Sequence, residues 1–149
     1  MKAIARQWSR IALLGLLLAC AQTAFAQSAM KQIAQGTQLW AGEAIYSNNG
    51  QYLLLMQHDG NLVFYRAADL RPLWASGTHA VGGHRAVFEP YGILTVRDFN
   101  DAILWSNANG WPGYFQPGIY WYLTDTGYFV ALYQGSMVVR VLGRDPDRN

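Results

Sequence analysis

The stretch Gln57-His58-Asp59-Gly60-Asn61-Leu62-Val63-Phe64-Tyr65 decides the reading of this chain, because it joins a turn signal to an alternating apolar run. Asp-Gly between Tyr52 to Met56 and Leu62 to Tyr65 is a strong short-range signature of a β-hairpin. Loop length then sets which side chains share a face, since directly paired residues point to the same side. A two-residue loop, Asp59-Gly60, pairs Gln57 with Leu62 and mixes polar and apolar groups on both sides. A three-residue loop, Asp59-Gly60-Asn61, pairs Gln57 with Val63, Leu55 with Tyr65 and Met56 with Phe64. One face then holds only Leu54, Met56, Leu62 and Phe64. The other carries Gln57, Val63 and Tyr65, with Asp59 and Asn61 leaning in from the turn. The spacing therefore predicts the three-residue loop, with Asn61 in the left-handed conformation that asparagine tolerates.

Working outward, residues 39–132 show no helical periodicity as long as three turns. Short alternating stretches recur instead, bounded by Asn48-Asn49-Gly50, Val81-Gly82-Gly83, Tyr91-Gly92-Ile93 and Asn109-Gly110, which predicts an all-β chain. Moving Gly60 onto Gly92, a shift of 32, or onto Gly135, a shift of 75, exposes a threefold repeat. The apolar face survives as Ala86, Phe88, Leu94 and Val96, then as Phe129, Ala131, Met137 and Val139. The polar face drifts to Glu89, Tyr91, Ile93, Thr95 and Arg97, then to Leu132, Gln134, Ser136, Val138 and Arg140. Packing is thus retained three times and the polar set once, so folding and binding have separated. Hairpins with a single apolar face cannot bury it alone, and three of them should close around a shared axis. Trp74 and Trp105 hold equivalent positions and are expected near that axis, with Trp40 or Trp121 filling the third place.

The termini follow separate rules. Residues 1–26 read as an export signal: Lys2, Arg6 and Arg10, an apolar run from Ile11 to Ala19, and Ala24-Phe25-Ala26 before Gln27. The run is too short to span a bilayer as a mature helix, so no membrane span is expected. Leu17-Leu18-Ala19-Cys20 also resembles a bacterial lipobox, which makes a lipid anchor at Cys20 the competing reading. Cleavage at Gln27 removes three of the 11 basic residues, leaving eight against 9 acidic ones, a net charge near −1. That balance excludes a nucleic-acid footprint. Cys20 is the only cysteine, so the mature chain makes no disulfide. Residues 27–38 read as a loosely held leader or an edge strand, 39–143 as one domain, and 144–149 as a charged tail.

Chemistry beyond the hairpin is sparse. His58, His79 and His84 lack the spacing of a metal-ligand set, so no metal and no cofactor is expected. Asp59, Glu89 and Asp98 are scattered over different repeats, and no nucleophile sits beside a base, which argues against an enzyme. Residues 111–122 carry six aromatics in twelve positions. Trp111, Tyr114 and Phe115 among them form either an accessory aromatic surface or a loop that caps one end of the fold.

At Gln57-x-Asp59-x-Asn61-x-Val63-x-Tyr65 the chain resembles the mannose-binding motif of the bulb-type lectins first known from monocot plants, matching at all five positions. Leu39-Trp40-Ala41-Gly42, Ile45-Tyr46-Ser47-Asn48-Asn49-Gly50 and Leu73-Trp74-Ala75-Ser76-Gly77-Thr78 flank it as the family would have them. The similarity is strong over residues 39–78, recognisable to Trp105 and weak beyond. The resemblance implies a β-prism of three four-stranded antiparallel sheets with pseudo-threefold symmetry, here in a secreted bacterial member. It further implies that Asp59 and Asn61 take the axial 2-hydroxyl of mannose, Gln57 the 3-hydroxyl and Tyr65 the 4-hydroxyl, while Val63 packs on the C3–C4 edge. One intact site implies weak monovalent binding of mannose-containing glycans, strengthened by homo-oligomerisation, surface display or a longer oligosaccharide. The alternative is an exported, non-catalytic protein-binding or cell-envelope module on the same fold with an inactive sugar site.

Overall fold

The computed structural model describes residues 29–109 and 115–148. Its strands are β1 (Met30–Ile33), β2 (Gln38–Trp40), β3 (Ala44–Tyr46), β4 (Tyr52–Met56), β5 (Leu62–Arg66), β6 (Arg71–Ala75), β7 (Gly83–Phe88), β8 (Leu94–Asp98), β9 (Ile103–Ser106), β10 (Ile119–Thr124), β11 (Tyr128–Tyr133) and β12 (Met137–Arg144). They form three four-stranded antiparallel sheets. The first is β3-β4-β5-β6, the second β2-β7-β8-β9 and the third β1-β10-β11-β12. The expected all-β prism is therefore the observed architecture. The chain lends β1 to the third sheet and β2 to the second before it builds either, so the first and last described strands meet in one sheet. β1 lies within the stretch read as a leader or edge strand, and it is an edge strand with Ile33 buried.

The hairpin register departs from expectation by two residues. Met56 pairs with Leu62, Leu55 with Val63 and Leu53 with Tyr65. The loop is His58-Asp59-Gly60: Gln57 N donates to Asn61 O at 2.8 Å and Gly60 N to Gln57 O at 3.1 Å. Gly60, at φ 92°, takes the left-handed position assigned above to Asn61. Glycine has no Cβ to clash there, whereas asparagine only tolerates the conformation. A three-residue loop ending in left-handed glycine is a type I turn with a bulge, a favoured hairpin connection. Because the slip is even, both predicted faces keep their membership.

The third repeat needs a larger correction. The middle strands of the third sheet are β10 and β11, joined around Gly127, whose N–H donates to Thr124 O at 3.2 Å as Gly60 N does to Gln57 O. Gly135 sits in the next turn, between β11 and the edge strand β12. The inward set of this repeat is Trp121, Leu123, Phe129 and Ala131, all buried, whereas Met137, assigned inward from Gly135, is 63% exposed. The positions matching Gln57, Asp59, Asn61, Val63 and Tyr65 are accordingly Thr124, Thr126, Tyr128, Val130 and Leu132.

The inward faces share one core. Full burial of each large apolar side chain contributes roughly 1.5–3 kcal/mol. Trp74 and Trp105 meet edge to face, with ring centroids 5.4 Å apart. Trp121 is buried on the central strand β10, 4.9 Å from Phe129, at the position of Leu54 and Ala86 and not at that of Trp74 and Trp105, and Trp40 stays on the surface.

Three hairpin tips close the ring. A Cβ on Gly60 would lie 2.6 Å from Gly83 O at the start of β7. Gly92 seats equally tightly on Ile119 at the start of β10, and Gly127 on Tyr52 at the start of β4. Each hairpin of one sheet thus leans on the first central strand of the next.

The charged C-terminal stretch clamps the third sheet to the first. Asp145 is fully buried, accepts from Tyr52 Oη at 2.9 Å and from Asp147 N at 3.1 Å, and donates its own N–H to Gly127 O at 2.8 Å. Arg66 bridges Asp69 at 2.7 Å and Asp147 at 2.8 Å. Burial favours the neutral form of Asp145, yet the Asp147 amide, the Tyr52 hydroxyl and the Arg66 and Arg71 charges outweigh it and hold the carboxyl below its usual range. Hydrogen bonds from Arg66 bring Asp69 down to about 2.

Two outcomes follow for stability. Carboxylates with depressed pKa stabilise the fold above their unfolded pKa and lose that contribution as pH falls through the folded value. Thermal stability should therefore drop between about pH 4 and pH 2, and Asp145→Asn should flatten part of that drop in a pH series of melting curves. In chemical denaturation, Gly60→Ala should cost about 3 kcal/mol or more, since the Gly83 backbone cannot yield. Gly36→Ala, also at positive φ but with open space around it, should cost about 1 kcal/mol.

Candidate functional site

The outward face of the first sheet gathers all five predicted residues. Gln57 directly follows β4, Asp59 and Asn61 lie at the turn, and Val63 and Tyr65 point outward from β5. Val63 is buried beneath the others, Gln57, Asn61 and Tyr65 are half-buried, and Asp59 is exposed. The result is a shallow site with an apolar floor.

Hydrogen bonds within the site determine what each group still offers. Gln57 Nε2 donates to Tyr65 Oη at 2.7 Å, leaving Gln57 Oε1 as an acceptor and the Tyr65 hydroxyl proton as a donor. Asp59 Oδ1 accepts from Asn61 N at 3.0 Å in an Asx turn, leaving Oδ2 to accept. Asn61 Oδ1 accepts from Gly77 N at 2.9 Å, Thr78 N at 3.2 Å and Ser76 Oγ at 3.1 Å. Its Nδ2 has no partner among the described residues and is left to donate. One donor–acceptor pair, Asn61 Nδ2 with Asp59 Oδ2, stands beside a second, the Tyr65 hydroxyl with Gln57 Oε1. Such a set answers adjacent hydroxyl groups, each of which both gives and takes a hydrogen bond.

The matching faces of the other sheets offer no such set. In the second, Arg97 Nη2 meets Glu89 Oε1 at 2.7 Å, Thr95 Oγ1 donates to the same oxygen at 2.9 Å, and Arg97 Nη1 reaches Asp101 at 3.1 Å. These charges satisfy one another. In the third, Val130 and Leu132 are buried beside Tyr122, and Thr124 and Thr126 hydrogen-bond each other at 3.0 Å.

Of the other expected residues, Phe115 is half-buried, while Trp111 and Tyr114 lie outside the described residues, as do the export segment and Cys20. The sequence reading did not single out Ser76, Gly77 or Thr78 as site residues. Among the described residues no three His, Cys, Asp or Glu side chains are grouped as metal ligands, and no helix is long and apolar enough to cross a membrane.

No family model matches the chain. Among curated proteins it is similar to a mannose-specific lectin from Aloe arborescens, 35% identical over 77 residues that cover 48% of this chain and 69% of that protein. The chain belongs to the bulb-type lectin family. Solved bulb-type lectins share its fold beyond the matched segment. A monomeric monocot mannose-binding lectin from Gastrodia elata is 25% identical with a TM-score of 0.61, covering 76% of this chain and 96% of that one. The mannose-specific bulb lectin of Scilla campanulata is 26% identical with a TM-score of 0.54, covering 69% of this chain and 89% of that one.

Proposed function

We propose that this chain is an exported, non-catalytic carbohydrate-binding protein that takes mannose or mannose-terminated glycans through Gln57, Asp59, Asn61, Val63 and Tyr65. The observation that carries this reading is the pair of unspent donor–acceptor sets on the first sheet, beside two faces without one. The mannose specificities of the Aloe, Gastrodia and Scilla lectins support mannose as the sugar. Asn61 Nδ2 would donate to the axial 2-hydroxyl while that hydroxyl donates to Asp59 Oδ2. Gln57 Oε1 would accept from the 3-hydroxyl, the Tyr65 hydroxyl would address the 4-hydroxyl, and Val63 would pack beneath the C3–C4 edge. A sugar with an equatorial 2-hydroxyl leaves the Asn61–Asp59 pair unanswered, which disfavours it. No bond is made or broken; the site only exchanges water for sugar.

A shallow monosaccharide site of this kind gives millimolar affinity, about −4 kcal/mol, so useful binding calls for several copies or a longer glycan. Export through residues 1–26 belongs to the same reading. Mass spectrometry of the mature N-terminus should find Gln27, whereas an acylated Cys20 would replace secretion with a lipid anchor.

A glycan array followed by calorimetry on the mature protein tests the sugar assignment. Mannosides should bind at about millimolar strength, Asn61→Asp should weaken them at least about tenfold by removing the outward donor, and Arg97→Ala should change nothing. Absence of any mannoside signal, or an unchanged signal in Asn61→Asp, would contradict the assignment.

A further inference from the structure

The Asn61 amide has two ends of nearly the same shape, so its surroundings must decide which one faces outward. Its inner atom meets the Gly77 and Thr78 backbone N–H groups at 2.9 and 3.2 Å. Backbone N–H groups only donate, so the inner atom is the oxygen and the NH2 group faces out. The hydroxyl nearby, Ser76 Oγ, could serve either role and does not fix the choice.

Two successive N–H groups converge on one acceptor where the backbone turns left-handed, forming a nest. Gly77 supplies that turn at φ 73°. A Cβ at Gly77 would meet nothing within 4 Å, so glycine is needed here for its dihedral angle and not for room.

The other repeats separate what this segment does for the fold from what it does for the site. Thr78 Oγ1 donates to Gly60 O at 2.7 Å, Asn107 Nδ2 to Gly92 O at 3.0 Å, and Asp145 N to Gly127 O at 2.8 Å. Leu62 N donates to Ser76 Oγ at 3.0 Å, as Leu94 N does to Asn107 Oδ1 at 2.7 Å. Capping the hairpin tip is thus common to all three repeats. The nest is not: Ala108, which follows Asn107 as Gly77 follows Ser76, is not left-handed, and the residues matching Asn61 are Ile93 and Tyr128, which carry no amide.

We infer that Gly77 is a positioning residue: its left-handed turn aims two N–H groups at Asn61 Oδ1 and so holds the Asn61 donor toward the ligand. The inference rests on the carbohydrate reading of this site and adds what holds its Asn61 donor in place. If the amide is no longer held, the loss should fall on the sugar's 2-hydroxyl, the group that Asn61 addresses in that reading.

NMR titrations of wild type, Gly77→Val and Gly77→Asn with methyl α-mannoside and its 2-deoxy analogue test it. Valine resists positive φ and asparagine tolerates it, so Gly77→Asn is the conservative rescue. Wild type should prefer the mannoside by about tenfold or more. Gly77→Val should lose about tenfold for the mannoside with the deoxy sugar changed less than about twofold, and Gly77→Asn should behave as wild type. A preference retained in Gly77→Val, an equal loss for both sugars, or a Gly77→Asn variant no better than Gly77→Val would overturn the positioning role alone. No mannoside binding by wild type would overturn the carbohydrate reading and this inference with it.

Discussion

The architecture depends on the close seating of three hairpin tips. Gly60, Gly92 and Gly127 each touch the first central strand of the neighbouring sheet, at Gly83, Ile119 and Tyr52, so closely that a Cβ would collide. A four-stranded sheet with one apolar face cannot stand alone in water, and these contacts bring three such faces onto one axis. Closure also explains the chain path. With β1 and β2 lent forward to the third and second sheets, the first and last strands lie in one sheet, and Asp145 ties the chain's end to Tyr52.

Closure draws only on the inward half of each hairpin and on its tip. The outward half is free to change, and the three sheets have used that freedom differently. One presents unspent hydrogen-bonding groups, one an ion-paired network around Glu89 and Arg97, and one an apolar surface around Val130 and Leu132. Retention of Leu54, Met56, Leu62 and Phe64 equivalents follows from packing alone. Retention of Gln57, Asp59, Asn61 and Tyr65 does not, because neither of the other sheets needs that set to fold.

Much of this was legible in the sequence, for reasons that are physical. Strand alternation has period two, so the two faces of β4 and β5 could be assigned even with the pairing off by two residues. The loop itself was misplaced because both Gly60 and Asn61 accept positive φ, and only Gly60's contact with Gly83 settles which one does. In the sequence Gly135 reads as the third tip because it too ends an apolar run; the true tip, Asp125-Thr126-Gly127, follows Trp121 and Tyr122, whose bulk hides the alternation. The short strands β1 and β2 have too few residues to show a pattern. Ser76, Gly77 and Thr78 escaped notice as site residues because their contribution comes from backbone N–H groups, which any sequence supplies. The left-handed glycine was their one visible signal.

The central claim is that one fold repeated three times keeps one working face. The most direct measurement is a two-dimensional 15N–1H spectrum of the mature protein titrated with methyl α-mannoside. The side-chain amides of Asn61 and Gln57 and the backbone amides of Gly77 and Thr78 should shift together and saturate. The amides around Glu89 to Arg97 and Thr124 to Leu132 should stay in place. Equal shifts on the second or third sheet, or still signals from Asn61 and Gln57, would contradict the claim.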